Sequence, residues 1–196
     1  MIFFNKQMRL MVKNRTMMIS RYLLGIVLIV SHVVAQISQE GVPHSFYNSL
    51  TKITPVIEMP LLDREELLQE DEVLPPGKPY RYGVRLPVNL TPDNSGVWET
   101  LLDGTRVWKL IISSKSAYAM TLSFDSFYIP KDSKLFIYNP DFSMIYGAYT
   151  NLNNNSEEVF ASPLLKGDEL IIEYSEPMGV FEDFKLHIEY VIHDYK

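Results

Sequence analysis

Residues 96–150 read GVWETLLDGTRVWKLIISSKSAYAMTLSFDSFYIPKDSKLFIYNPDFSMIYGAYT, and this stretch decides the fold. Asp103-Gly104 is a dipeptide suited to a two-residue turn with positive φ, so residues 97–102 and 105–113 are expected to pair as a hairpin. Two-residue closure sets Thr100 opposite Val107 and Glu99 opposite Trp108. Period-two alternation then sends Trp98 and Trp108 to opposite faces. Trp108 is assigned to the core with Leu110 and Ile112, and Trp98 to the other face with Thr100 and Lys109.

Downstream, residues 117–124 alternate with Tyr118, Met120, Leu122 and Phe124 on one face, and Leu122 and Phe124 join the expected core. Ile129-Pro130-Lys131-Asp132 and Asn139-Pro140-Asp141 turn the chain between strands at 135–138 and 144–150. Further strands are expected at 159–163, 169–174 and 184–193, the last burying Leu186, Ile188, Tyr190 and Ile192. Upstream, residues 80–88 form a strand that Pro87 pushes to a sheet edge. Turn signals about every ten residues, with hardly any helical period after Pro76, mark an all-β fold. The expected architecture is an antiparallel β-sandwich, jelly-roll-like, with one short N-terminal helix.

That helix is placed at residues 61–70, with Asp63 as cap and Glu66 three residues on. Its acids Glu65, Glu66, Glu70, Asp71 and Glu72 read as a solvated helix end rather than metal ligands, because nothing spaces them for coordination. Residues 36–60 read as extended, loosely held backbone. The break at Pro75-Pro76-Gly77 divides an arm, residues 36–77, from the sandwich, residues 78–196.

Ahead of the arm, residues 1–35 carry Lys6, Arg9, Lys13, Arg15 and Arg21 with no acid, then an apolar run ending in Val33-Val34-Ala35. This is a signal-peptide pattern with cleavage after Ala35, and the expected location is secreted or cell surface. The apolar run is short for a bilayer span, so no stable membrane span is expected once it is removed. Without the leader, 13 basic residues face 24 acidic ones, a net charge of −11. Such a surface repels phosphate backbones, so no nucleic-acid partner is expected; it reads as an acidic, soluble exterior, which would also suit a basic protein partner.

The 196 residues contain no cysteine, which excludes disulfides, thiolate metal sites and a cysteine nucleophile. Of the four histidines, His187 and His193 fall on one strand face about 20 Å apart, too far to share an ion, and both are expected at the surface. Asp125, Asp132 and Asp141 lack the clustered oxygens of a calcium site. No HExxH, GxSxG, phosphate loop or dinucleotide fingerprint is present. No catalytic residue, cofactor or metal is therefore assigned. The candidate binding surface is Trp98 with Tyr80 and Tyr82: exposed together they would make a sugar platform, whereas a Trp98 covered by residues 36–60 would be structural, and the covered arrangement is expected.

The succession Glu70-Asp71, PYRYG around Tyr80, G-x-W from Gly96 and VWKL from Val107 resembles the N-terminal domain of secreted bacterial trypsin-like serine peptidases of the lysyl endopeptidase type. The likeness continues through LSFDSFYIPKDSKLFIYNPD, YGAYT, LLKGDELIIEY and LHIEYVIHDYK, covering nearly all of residues 36–196. It implies a non-catalytic propeptide or accessory domain whose partner is a peptidase domain, in cis or in trans. The segments holding that family's catalytic histidine and serine have no counterpart here, so no catalytic residue is carried over. The alternative is a stand-alone secreted module that binds extracellular protein or glycan.

Overall fold

The hairpin at the centre of the chain forms, but one residue out of the expected register. The computed structural model describes residues 38–196 except positions 48, 49, 74, 76, 78 and 181; the expected leader over 1–35 lies outside the described residues. β3 (Val97–Thr100) and β4 (Arg106–Ser113) pair with Trp98 opposite Trp108 and Thr100 opposite Arg106. Leu101 and Thr105 close the ladder, with Leu101 N donating to Thr105 O at 2.8 Å and Gly104 N donating to Leu101 O at 3.0 Å. The loop therefore has three residues, and only Gly104 of the Asp-Gly pair takes positive φ, at 84°. Asp103 instead accepts from the Thr105 amide at 2.9 Å. A three-residue loop with glycine in the left-handed position is the next most common hairpin closure. Its consequence is that both tryptophans point inward, which corrects the expectation that they take opposite faces.

Among the described residues, eleven strands build two sheets. Sheet A runs β1 (Val56–Glu58), β4, β10 (Glu169–Glu176), β6 (Lys134–Tyr138), β7 (Ile145–Tyr149), with β3 sharing the β4 edge with β1. Sheet B runs β2 (Gly83–Leu90), β11 (Lys185–Asp194), β5 (Ala119–Tyr128), β8 (Phe160–Ala161), with β9 (Leu165–Lys166) also on β5. All pairings are antiparallel except β1 with β4. Pro87 lies on β2, at the edge of sheet B, where a missing N–H is tolerated. The chain crosses repeatedly between the layers, giving an all-β, jelly-roll-like sandwich.

The core between the sheets contains Trp108, Leu110, Ile112, Leu122 and Phe124, as expected, together with Met120, Leu135, Ile137, Ile172 and Tyr174. Gly96 is fitted to this core. Its φ is 69°, and a Cβ there would lie 2.5 Å from Trp108 Nε1, so the G-x-W glycine lets the indole pass. Trp108 Nε1 then donates to Ser95 O at 2.8 Å, satisfying a buried donor.

β11 departs from simple alternation. A register shift between Ile188 and Tyr190 skips Glu189, so Leu186 and Ile188 face inward, and beyond the bulge Val191 and His193 do. Tyr190 and Ile192 turn outward and are half-exposed, contrary to the single buried face expected from the sequence. The same bulge puts His187 and His193 on opposite sides of the sheet. His193 is 2% exposed, not a surface residue.

The segment before β2 is held to the sandwich along its length. The described residues belong to one compact unit, Ile37–Lys196. Gln39 and Ala148 exchange two backbone hydrogen bonds, β1 extends sheet A, and Met59 enters the core. The described residues between 38 and 60 are thus not loose. After α1 (His44–Tyr47), the second helix, α2, spans Arg64–Glu72, starting later than expected but capped as expected: Asp63 accepts from the Glu65 and Glu66 amides.

Candidate functional site

The two sheets present different outer faces. On sheet A, Phe136, Tyr138, Ala148 and Ile171 form a second buried cluster, to which Ile111, Phe142 and Ile145 add. The arm covers it. Phe46 packs edge-on against Phe142, which stacks on Tyr138, and Gly41 lies against Phe136. Glu173 is 1% exposed at the middle of this face, and its carboxylate accepts from Tyr138 Oη at 2.9 Å and from the backbone amides of His44 and Ser45. Burial, with the adjacent Glu173 charge, pushes the Tyr138 hydroxyl well above its ordinary pKa, so it stays a donor. A second carboxylate, Glu99, accepts from the amides of Lys52 and Thr51, and these donors lower its pKa.

On sheet B no described segment covers the middle of the outer face in this way, while Ala119 and Asp194 at one end are buried. Arg85 is exposed, and Thr121, Ser123, Tyr190 and Ile192 are half-exposed. A cleft of about 450 Å³ opens here, with Tyr80, Arg81, Tyr82, Gly83, Arg85 and Ile192 in its lining. Tyr80 is 75% and Tyr82 55% exposed. The Arg85 guanidinium lies 5.8 Å from the Tyr190 ring.

Trp98 does not join these tyrosines. Its ring packs against the core, edge-on to Tyr174 at 6.0 Å and beside Phe184 at 5.8 Å, with the Arg106 guanidinium 4.4 Å over its face. The arm reaches its backbone carbonyl through Lys52 Nζ, while Tyr174, Phe184 and Arg106 pack against the ring. Trp98, Tyr80 and Tyr82 therefore do not form one platform.

Beside the cleft, the end of the sandwich is tied to α2. Asp71 accepts from Arg81 Nε at 2.7 Å, from Tyr195 Oη at 2.7 Å and from Lys196 Nζ. The Lys196 ammonium first, then Tyr195 and Arg81, hold the Asp71 carboxyl down to about 2, against the cost of burial. Burial and the hydrogen bond to Asp71 push the Tyr195 hydroxyl up to about 12. Arg64 Nε donates to Tyr195 O at 2.9 Å.

At the end of β11, Asp194 went unnoticed in the sequence, and His193 was expected at the surface. His193 Nδ1 is 2.7 Å from Ser114 Oγ, a bridge between the sheets; Ser114 is sealed from solvent, and burial lowers the imidazole pKa. Asp194, on the opposite face, is 2% exposed, and neither carboxylate oxygen has a hydrogen-bond partner. Burial pushes its carboxyl up to about 6. His187 sits between Asp125 Oδ1 and Asn89 Oδ1, half-buried. Among the described residues no group of three His, Cys, Asp or Glu side chains is placed to hold a metal ion, and no helix is long and apolar enough to cross a membrane. The polar loop after β7 is a connector: Asn154 both accepts from the Ile129 amide and donates to its carbonyl, each at 2.9 Å.

No protein-family model matches the chain, and no solved structure matches it.

Proposed function

We propose that this chain is a non-catalytic binding module that presents the outer face of sheet B to a partner. The observation that carries this reading is the contrast between the two outer faces. The arm seals an apolar face on sheet A, while on sheet B exposed Tyr80, Tyr82 and Arg85 surround a cleft. A cleft with a few converging polar groups and exposed aromatic rings is the usual form of a recognition site.

The resemblance supports a narrower form of the same reading: an N-terminal propeptide or accessory domain of a secreted lysyl endopeptidase-type serine peptidase. Covalent linkage, or an acidic exterior facing a basic partner, would sustain such an association even through a modest interface. The test uses the purified chain. Lysine-containing peptide and ester substrates are expected to remain intact. A catalytic domain of the lysyl endopeptidase type is expected to bind with an affinity that falls as salt rises, and to bind more weakly when Tyr82→Ala and Arg85→Ala are combined. Hydrolysis by the chain overturns the non-catalytic reading; binding indifferent to these two substitutions overturns the assignment to this face.

A further inference from the structure

Among the described carboxylates, Asp194 alone has both oxygens sealed from solvent without a donor. It stands on the outer face of sheet B, opposite Gly83 on β2 and Ala119 on β5. A Cβ at Gly83 would lie 2.3 Å from Asp194 Oδ1, so the carboxylate fills the space of a side chain at position 83. Gly83 also lines the cleft, so the carboxylate lies behind one of the cleft's lining residues. Glycine within a strand marks a close approach, and here it makes room for a charge.

A buried carboxylate requires a counter-ion or several donors. None of the described cations pairs with Asp194. Arg81 pairs with Glu70 and Asp71, Lys196 with Asp71, and Arg64 with the Tyr195 carbonyl. Arg85 leans over Tyr190, which is opposite Pro87 and so away from the Gly83–Asp194 row. The position over Gly83 thus has an anion beneath it and two exposed tyrosine rings beside it, and a tyrosine face attracts ammonium. Tyr80 already shows this, with Lys196 Nζ 4.7 Å from its centroid.

We propose that the cleft over Gly83 receives an alkylammonium group, such as a lysine side chain of a protein partner, with the Asp194 carboxylate as its counter-ion and the Tyr80 and Tyr82 rings as its walls. The proposal rests on the binding-module reading and names its ligand. A compact ammonium with three donors suits a carboxylate set beneath a glycine better than the wide planar fork of a guanidinium. The acidic exterior, net −11 without the leader, draws such a group toward the face. Because both oxygens are sealed from solvent, binding entails a local opening of the cleft lining beside Gly83.

Binding is linked to pH, because the ammonium pairs with the ionised carboxylate. With its carboxyl raised to about 6, Asp194 is about one-tenth ionised at pH 5 and almost fully ionised at pH 7.5. The other titratable or charged groups on the neighbouring elements are Arg85 one row along β2, Arg81 and Tyr82 ahead of it, Tyr118 ahead of β5, Lys166 opposite Ala119 on β9, Arg64 and Asp71 on α2, and Tyr195 and Lys196. His193, its chain neighbour, turns to the opposite side toward Ser114.

The experiment titrates the chain with Nα-acetyl-lysine amide and with the uncharged Nα-acetyl-norleucine amide, following backbone amide resonances at pH 5 and pH 7.5. The lysine probe is expected to shift Tyr82, Gly83 and Asp194, with binding about tenfold tighter at pH 7.5, and the norleucine probe to leave them unmoved. Asp194→Asn is expected to abolish both the binding and its pH dependence while melting at pH 7.5 no lower than the parent chain. Equal response to both probes, no response to either, or full binding by Asp194→Asn overturns the proposal. If the lysine probe fails while a catalytic domain still binds through Tyr82 and Arg85, the binding-module reading stands and the ammonium assignment falls.

Discussion

The outer face of sheet A carries Phe136, Tyr138 and Ile171 and is interior, whereas the outer face of sheet B carries Arg85, Thr121 and Ser123 and is surface. On sheet A, Phe136, Tyr138 and Ile171 lie beneath residues 38–47, and a buried carboxylate, Glu173, captures the amides of the covering chain. On sheet B, Tyr190 and Ile192 stand half-exposed beside Arg85, with no comparable strap among the described residues. The contrast teaches that an outer face rich in apolar side chains takes a cover, whereas a more polar one can stand in solvent. The arm turns a two-layer sandwich into a structure with a third, partial layer on one side, and Tyr190, Ile192 and Arg85 remain at the surface on the other.

The largest expected effect belongs to the layer that both sheets share. Trp108→Ala is expected to cost about 3 to 5 kcal/mol in chemical denaturation, because the indole is 1% exposed and its loss opens a cavity. A loss below about 1 kcal/mol would break the assignment of the inner face itself. Next comes a matched pair that tests the contrast directly. Phe136→Ala on the covered face is expected to cost about 3 kcal/mol, and Ile192→Ala on the open face less than about 1 kcal/mol. Similar costs at the two positions would mean that the faces are equivalent.

Glu173→Ala should cost about 2 kcal/mol, since it strands the Tyr138 hydroxyl and two arm amides, and should speed proteolysis within residues 38–47. Unchanged proteolysis would show that the arm is held by its apolar contacts alone. The smallest effect concerns the end of the open face. The folded Asp71 carboxyl titrates at about 2, below its ordinary value of 3.8, so its contribution to stability is present above about pH 4 and is lost as pH falls toward 2. Melting curves of Asp71→Asn should accordingly vary less between pH 4 and pH 2 than those of the parent chain; parallel curves would count against the three-donor cluster.

Much of the sandwich was legible in the chain. Trp108, Leu110, Ile112, Leu122 and Phe124 were readable as core because each recurs at a two-residue period with apolar neighbours on the same face. Asp63 was readable as a helix cap from its local chemistry. The register of the central hairpin was not, because Asp103-Gly104 serves either a two-residue turn with two positive φ values or a three-residue loop with one. One residue of slip moves Trp98 to the other face. The site was less legible still. Tyr80 and Tyr82 were singled out, but Arg85 and Asp194 were not, since a lone charge in a strand gives no sign of whether a glycine on the next strand will face it.

The sequence by itself determined the all-β class, the punctuation between strands and most of the inner core, because backbone propensity and alternation act over a few neighbouring residues. The tertiary structure alone decided the rest. It skipped Glu189 in a bulge that turned Tyr190 and Ile192 outward and His193 inward. It folded a polar arm onto sheet A by matching Glu173 to amides 128 and 129 positions away along the chain. It set Asp194 against Gly83, and it left Tyr80 and Tyr82 with an open face that Trp98 does not share. Each of these depends on which distant segment arrives to fill a space or satisfy a charge, and that is a property of the packed molecule rather than of any window of its sequence.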